Sequence, residues 1–221
     1  MYKILITQTL LLLCPYLLLY VIYYFKNRDA FVLRPPSHRK IDLYIWIVAI
    51  TLILSLVWNS YFSEYFFLGL KITQDTVNDK FITFLGISSA IIGWLYTVRM
   101  QAVTNMRNHS IHTIANARLS DQYNQKFDYV YELLKGHKLL SYEKYTGFNN
   151  YDKSVIHYIL NYYEFIAIGL RYNELDEEIV KRMMKSQVLK TYSTFEDVIV
   201  NLRKDSPTFF ENFVDLKNRW Q

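Results

Sequence analysis

Only one cysteine, Cys14, occurs in the 221 residues, so no internal disulfide can form and a cysteine-based zinc site is excluded. Four prolines and six glycines are too few for a low-complexity or collagen-like chain. Alternating β-branched runs and Asn-Gly hairpin signals are missing, which argues against a sheet. No Gly-rich phosphate loop, nucleophile elbow or zinc-protease helix occurs, so neither enzyme activity nor a cofactor is expected. The interiors of the longest apolar runs carry no Asp, Glu, Lys or Arg, which argues against an ion-coupled transporter. Internal repeats are also lacking.

What the chain has is apolar length. It is 52% hydrophobic and 17% aromatic, with the long apolar runs before Val98 and most of the mixed charge after it. A net charge of +5 suits a protein beside an anionic membrane surface and is no signature of nucleic-acid binding.

Ile4 to Phe25 is the first candidate span, interrupted mainly by Thr7, Gln8 and Thr9. It is too long for a signal-peptide core, has no small-residue cleavage site, and ends in the interface anchor Tyr23-Tyr24-Phe25-Lys26. Pro15 falls mid-span, where a helix should bend. Lys26 to Lys40 follows, with Lys26, Arg28, Arg34, Arg39 and Lys40 against one acid, Asp29. Such a short basic loop belongs on the cytoplasmic side. Within it, Arg34-Pro35-Pro36-Ser37 reads as a stiff, extended turn.

The second span is Ile41 to Phe62, with Trp46 and Trp58 as interface residues and Asp42 at its start. Ser63 to Lys80, opening on Tyr65-Phe66-Phe67, is expected outside the cytoplasm. Phe81 to Val98 returns, and Arg99 and Arg107 add positive charge beyond it. The expectation is a multi-pass inner-membrane protein with spans at about 4–25, 41–62 and 81–98. Its amino terminus is outside, and residues 99–221 form a cytoplasmic helical domain. The fold class is all-α.

The third span turns polar at Arg99 without a breaker, and neither proline nor glycine occurs between Trp94 and Lys135. One helix over 81–135 would be roughly 80 Å long. A turn near Ser110 or Leu119 fits equally, so one helix and two both stay open. Lys153 to Arg171 has a helical period in Ile156, Ile159, Leu160, Tyr163, Ala167 and Leu170. Asp176 can cap a helix continuing through Ile179 to about Leu189. Ser193 or Thr194 can open another through Leu202, and Ser206-Pro207 can start the last.

Three groups of residues are candidates for function. Gly86, Ser89, Ala90, Gly93 and Thr97 fall on one face of span three. Such a face is either a packing seam against spans one and two or the lining of a pore in a homo-oligomer. Arg107 and Arg118, eleven residues apart, share a stripe with Ile111 and Ile114, and Glu164 lies on an apolar face of its own helix. These are either buried ion pairs or an arginine pair for an anionic ligand such as a nucleotide or nucleotide oligomer. His109 and His112 stand three apart with no acid or cysteine at ligand spacing, so no metal is expected. A partner protein on the soluble domain is the other possibility.

The block Leu160-Asn161-Tyr162-Tyr163-Glu164-Phe165-Ile166-Ala167-Ile168-Gly169, followed by Leu175-Asp176-Glu177-Glu178-Ile179-Val180-Lys181, resembles a domain of unknown function in small bacterial and phage membrane-anchored proteins. That resemblance covers about residues 155–190. In layout the chain is similar to pore-forming anti-phage effectors of the Hailong type. This second resemblance implies an oligomeric channel in the bilayer, gated from the cytoplasm by a nucleotide signal. The alternative is a membrane-tethered helical interaction or regulatory module without a pore.

Overall fold

A computed structural model describes residues 2–61, 77–135 and 139–221. Among the described residues eight α-helices follow one another: α1 Tyr2–Lys26, α2 Ser37–Tyr61, α3 Val77–Leu119, α4 Asp121–Leu134, α5 Tyr142–Thr146, α6 Asn150–Arg171, α7 Glu177–Asp205 and α8 Glu211–Trp220. The described residues contain no strand. Three stretches are long and apolar enough to cross a membrane: Thr9–Lys26, Ser37–Val57 and Ile82–Leu119. Most of the expected Ser63–Lys80 connection, including Tyr65, Phe66 and Phe67, lies outside the described residues, as does the side chain of Trp58.

Local chemistry sets the boundaries. Pro35 disfavours helix at Arg34, and α2 starts directly after Pro36, whose carbonyl accepts from Arg39 N at 3.0 Å. The 81–135 stretch is two helices. It breaks after Leu119, where Ser120 takes an extended backbone and its Oγ accepts from Tyr123 N. Asn149 caps α6 through Asp152 N at 2.9 Å, and Asp176 caps α7 through Ile179 N at 3.2 Å.

Two expected boundaries are corrected. No new helix opens at Ser193 or Thr194, because α7 runs unbroken for 29 residues. Both hydroxyls bond back to the Lys190 carbonyl at 2.9 Å, so they are satisfied inside the helix and do not compete with it. The last helix does not start at Ser206-Pro207 either. That segment forms a turn closed by Phe209 N on Ser206 O at 3.0 Å, and Phe210, at φ 51°, precedes the first residue of α8.

The chain divides into two compact units. One holds Met1–Arg28 and Pro35–Val103, and the other holds Asp29–Arg34 and Thr104–Gln221. In the first, α1 packs on α2, and Tyr16 Oη lies 2.7 Å from Thr51 Oγ1. Few of its described side chains are buried, among them Leu54, Ser55, Ser88 and Leu95.

The second unit has a conventional core. Its centre is α6, which packs against α4 and α8, and α7 packs against α8 and α5. Ile156, Leu160, Ile166, Val180, Val198 and Phe213 are fully enclosed, together with Ile114 near the end of α3. The six residues Asp29–Arg34, which join α1 to α2 in sequence, also belong here, with Phe31 in the core cluster.

Candidate functional site

The six-residue strap is fixed residue by residue. Asp29 Oδ1 accepts from Phe31 N at 3.0 Å, a local turn that aims the phenyl ring into the bundle. Leu33 N donates 2.8 Å to the carbonyl of Arg171, the last residue of α6. A helix end leaves such carbonyls without an internal partner, so the strap satisfies one of them. Asn173 Nδ2 donates to the Arg34 carbonyl, and the Arg34 guanidinium lies 5.5 Å from the Tyr172 ring centre. Asn173 sits at φ 55°, a conformation its short polar side chain tolerates.

Arg219, near the end of α8, closes the strap. Its Nη1 and Nη2 donate to the two Asp29 oxygens at 3.0 and 2.8 Å. Its Nε and Nη2 donate to the two Glu177 oxygens at 2.7 and 2.9 Å. Trp220 Nε1 adds a bond to Glu177 Oε1 at 3.0 Å, and the guanidinium lies 5.1 Å from the Phe31 ring centre. One planar cation therefore grips two carboxylates from distant parts of the chain, a geometry only arginine supplies.

Glu177 is the first residue of α7, where negative charge is favoured. Burial pushes its carboxyl upward, but hydrogen bonds from Arg219 and Trp220 outweigh this and hold it below its ordinary value. The Arg219 guanidinium is raised, first by the Glu177 hydrogen bond. The Arg219, Asp29 and Glu177 side chains remain 28%, 35% and 32% exposed. Solvent at this level keeps each pair near the ~1 kcal/mol of surface pairs. Burying Phe31 adds about 1.5–3 kcal/mol.

The residues singled out from sequence fall elsewhere. Glu164 does not pair with Arg107 or Arg118. Its carboxylate accepts from Asn212 N at 3.2 Å, Asn212 Nδ2 at 2.6 Å and Phe213 N at 2.7 Å. It therefore caps the first turn of α8, whose own preceding residue, Phe210, offers no side-chain cap. The apolar face that suggested a buried ion pair in fact meets a helix N-terminus, which satisfies a carboxylate as well as a cation does.

Arg107 lies 3.4 Å from Asp176 with 55% of its side chain exposed. Arg118 donates to the Met183 carbonyl at 3.0 Å and to Gln187. The two arginines thus attach to different turns of α7 and do not converge on one site. Ser110, named in the sequence only as a possible turn, lies inside α3 and links the same elements: its Oγ accepts from Asp176 N and donates to Met106 O, both at 2.7 Å. His109 lines a cavity of about 260 Å³ with Phe165, Gly169, Tyr172 and Leu175.

Gly86, Ser89, Ala90, Gly93 and Thr97 are all exposed, and the Thr97 hydroxyl bonds back to Gly93 O at 3.0 Å. A Cβ added at Gly86 or Gly93 meets nothing within 4 Å among the described residues. At Gly86 and Gly93 the stripe thus has no close neighbour among the described residues. The buried positions on this part of α3 are Ser88 and Leu95.

Asp29, Phe31 and Arg219 are the residues of this candidate site least visible in the sequence. The one signal was Asp29 itself, the single acid in a basic loop. The described residues hold no cluster of three or more metal-ligating side chains.

No curated protein and no solved structure matches the chain. A family model for a domain of unknown function, DUF4760, matches residues 84–220. The match is wider than the 155–190 block that first suggested such a domain. It takes in Glu177, Arg219 and Trp220 but not the strap that they hold. Since it covers more than half of its length, the chain belongs to the DUF4760 family.

Proposed function

We propose that the protein is a membrane effector whose soluble helical bundle controls the arrangement of its spans. The observation that carries this reading is the strap: the short connection between the first two candidate spans is built into the soluble core through Phe31 and Arg219. The end of α3, continuous with the third candidate span, supplies Ile114 to that same core. A ligand or partner that favours one packing of the bundle would then act on the spans at both attachments, provided that its affinity differs between the two states.

In this reading the chain is an inner-membrane protein, with its amino terminus outside and the bundle in the cytoplasm. Copies assemble through the exposed stripe of α3, and the assembly conducts ions. A nucleotide or a partner protein on the bundle is the signal, and the layout shared with Hailong-type effectors suggests anti-phage defence as its setting. The stripe supports assembly because small residues allow close helix approach in lipid, and nothing in the described chain occupies it.

The test is ion flux in proteoliposomes, together with cross-linking of a Ser89→Cys variant in a Cys14→Ser background. Covalent dimers and flux in the parent, with both lost on Gly93→Leu, are expected. Leucine at this position meets no described neighbour within 4 Å of its Cβ, so loss would report assembly and not misfolding. A Ser89→Cys protein that stays monomeric, with no flux in the parent, establishes instead a tethered module without a pore.

A further inference from the structure

A cavity of about 700 Å³ opens within the first unit, between α1 and α2, with Arg99 of α3 at its mouth. Its two ends differ chemically. Deep in the spans it is lined by Pro15, Leu18, Leu19 and Ile50, with Leu43 nearer the other end. At the other end stand Lys26, Arg39 and Arg99, with Asn27, His38 and Asp42 beside them, and Tyr23 and Trp46 lie between. Three permanent cations face one carboxylate, and Asp42 is already paired with Arg99. Arg39 Nη1 donates to Lys26 O at 3.2 Å and Asn27 Oδ1 at 3.0 Å. That fixes the guanidinium at the end of α1 and leaves most of its five donors for something else. Lys26 Nζ has no partner among the described residues.

The depth of the cavity is informative. On α1 it runs from Pro15 to Lys26, and on α2 from Ile50 to Arg39. The ends of each stretch are eleven residues apart along the helix, or about 16 Å. Half of a hydrocarbon core of about 30 Å is about 15 Å, so the apolar wall, Pro15 to Ile22 and Leu43 to Ile50, fits within one leaflet with the cations on its headgroup side. Tyr23 and Trp46 stand where aromatic side chains meet the headgroup layer. We propose that this cavity binds one anionic phospholipid, with its acyl chain along Leu18, Leu19 and Ile50 and its phosphate held by Lys26 and Arg39. Basic pockets between spans take acidic headgroups in this way, and bidentate donation suits a guanidinium to phosphate. The site is independent of any pore.

The experiment is native mass spectrometry of the full-length protein released from vesicles of equimolar phosphatidylglycerol and phosphatidylcholine. One phosphatidylglycerol per chain, retained about tenfold over phosphatidylcholine, is expected. Lys26→Gln with Arg39→Gln should reduce that preference below about threefold, while Arg39→Lys alone keeps most of it. Leu19→Trp, which leaves the basic mouth intact but narrows the apolar slot, should abolish retention with helicity unchanged. Should the double variant fail to fold, Leu19→Trp decides. Equal retention of the two lipids, an unchanged preference in the double variant, or full retention in Leu19→Trp overturns the proposal. So does displacement by millimolar glycerol phosphate, because a headgroup without a tail would then suffice.

Discussion

Leu17 and Leu18 of α1 leave 63% and 58% of their surface open, whereas Leu160 and Leu216 in the second unit leave none. The same side chain answers to lipid in one region and to named neighbours in the other. In the first unit an apolar residue needs only to be apolar, because any acyl chain covers it. In the second it must fit a particular gap, because interiors are packed to crystal-like density. Tolerance to substitution should therefore differ sharply between them.

The strongest way to break that contrast is truncation. Trp220→Ala should cost the second unit about 3–5 kcal/mol, while Leu17→Ala in a bilayer should leave unfolding almost unchanged. Denaturant unfolding followed in nanodiscs compares them, and equal losses would dissolve the distinction. Next is Glu164→Ala, which strands the Asn212 and Phe213 amides at the start of α8 and should cost about 2 kcal/mol by the same measurement. Full stability in that variant would mean that water caps the helix equally well.

Glycines sharpen the comparison within one residue type. A Cβ at Gly169 would meet Leu175 Cδ1 at 2.8 Å and Cγ at 2.9 Å, so Gly169→Ala should cost about 1–3 kcal/mol. Gly86→Ala, with open space around it, should cost nothing measurable in thermal unfolding.

Acid should act on the second unit more gently. Burial holds His157 below its ordinary value of 6.5. The folded ring stays neutral where the unfolded chain binds a proton, so stability declines as pH drops through 6.5. Glu177, also depressed, stabilises the fold above its ordinary value of 4.5, and that contribution fades as pH falls further. Urea midpoints at pH 7.5, 5.5 and 4 should decline in order. His157→Phe should flatten the first step, and Glu177→Gln the second. The smallest effect belongs to Glu178→Ala, which breaks an exposed pair with Arg182 at 2.6 Å and should change the unfolding free energy from the same urea curves by under about 0.5 kcal/mol.

The contrast also explains what the sequence revealed. The three candidate spans could be read from composition, because their length and hydropathy are set by the bilayer. Asp176 and Ser120 mark helix starts that local chemistry announces, although the sequence reading names only Asp176 as a cap and leaves an unbroken helix and a turn near Ser110 open beside the break at Leu119. Ser193, Thr194 and Ser206 carry the same local signal yet open no helix. Their hydroxyls or backbones found other partners, which propensity cannot foresee. Glu164 was correctly marked as a charge on an apolar face, but its partner was assigned by charge type, and a helix N-terminus carries no residue letter. The Arg219 latch joins residues 190 apart and leaves no periodic trace at all.

That separation also constrains how the protein is made. At roughly 5–20 residues per second, a ribosome needs about 10–40 s to travel from Asp29 to Arg219. Throughout that interval Arg219 is missing from the strap, while Arg171 and Asn173, its other partners, are made earlier. The Asp29–Arg219 contact is therefore the last of the strap's contacts to become possible in the order of synthesis. A chaperone or ligand that meets the nascent chain in between encounters Phe31 before the protein's own last helix does.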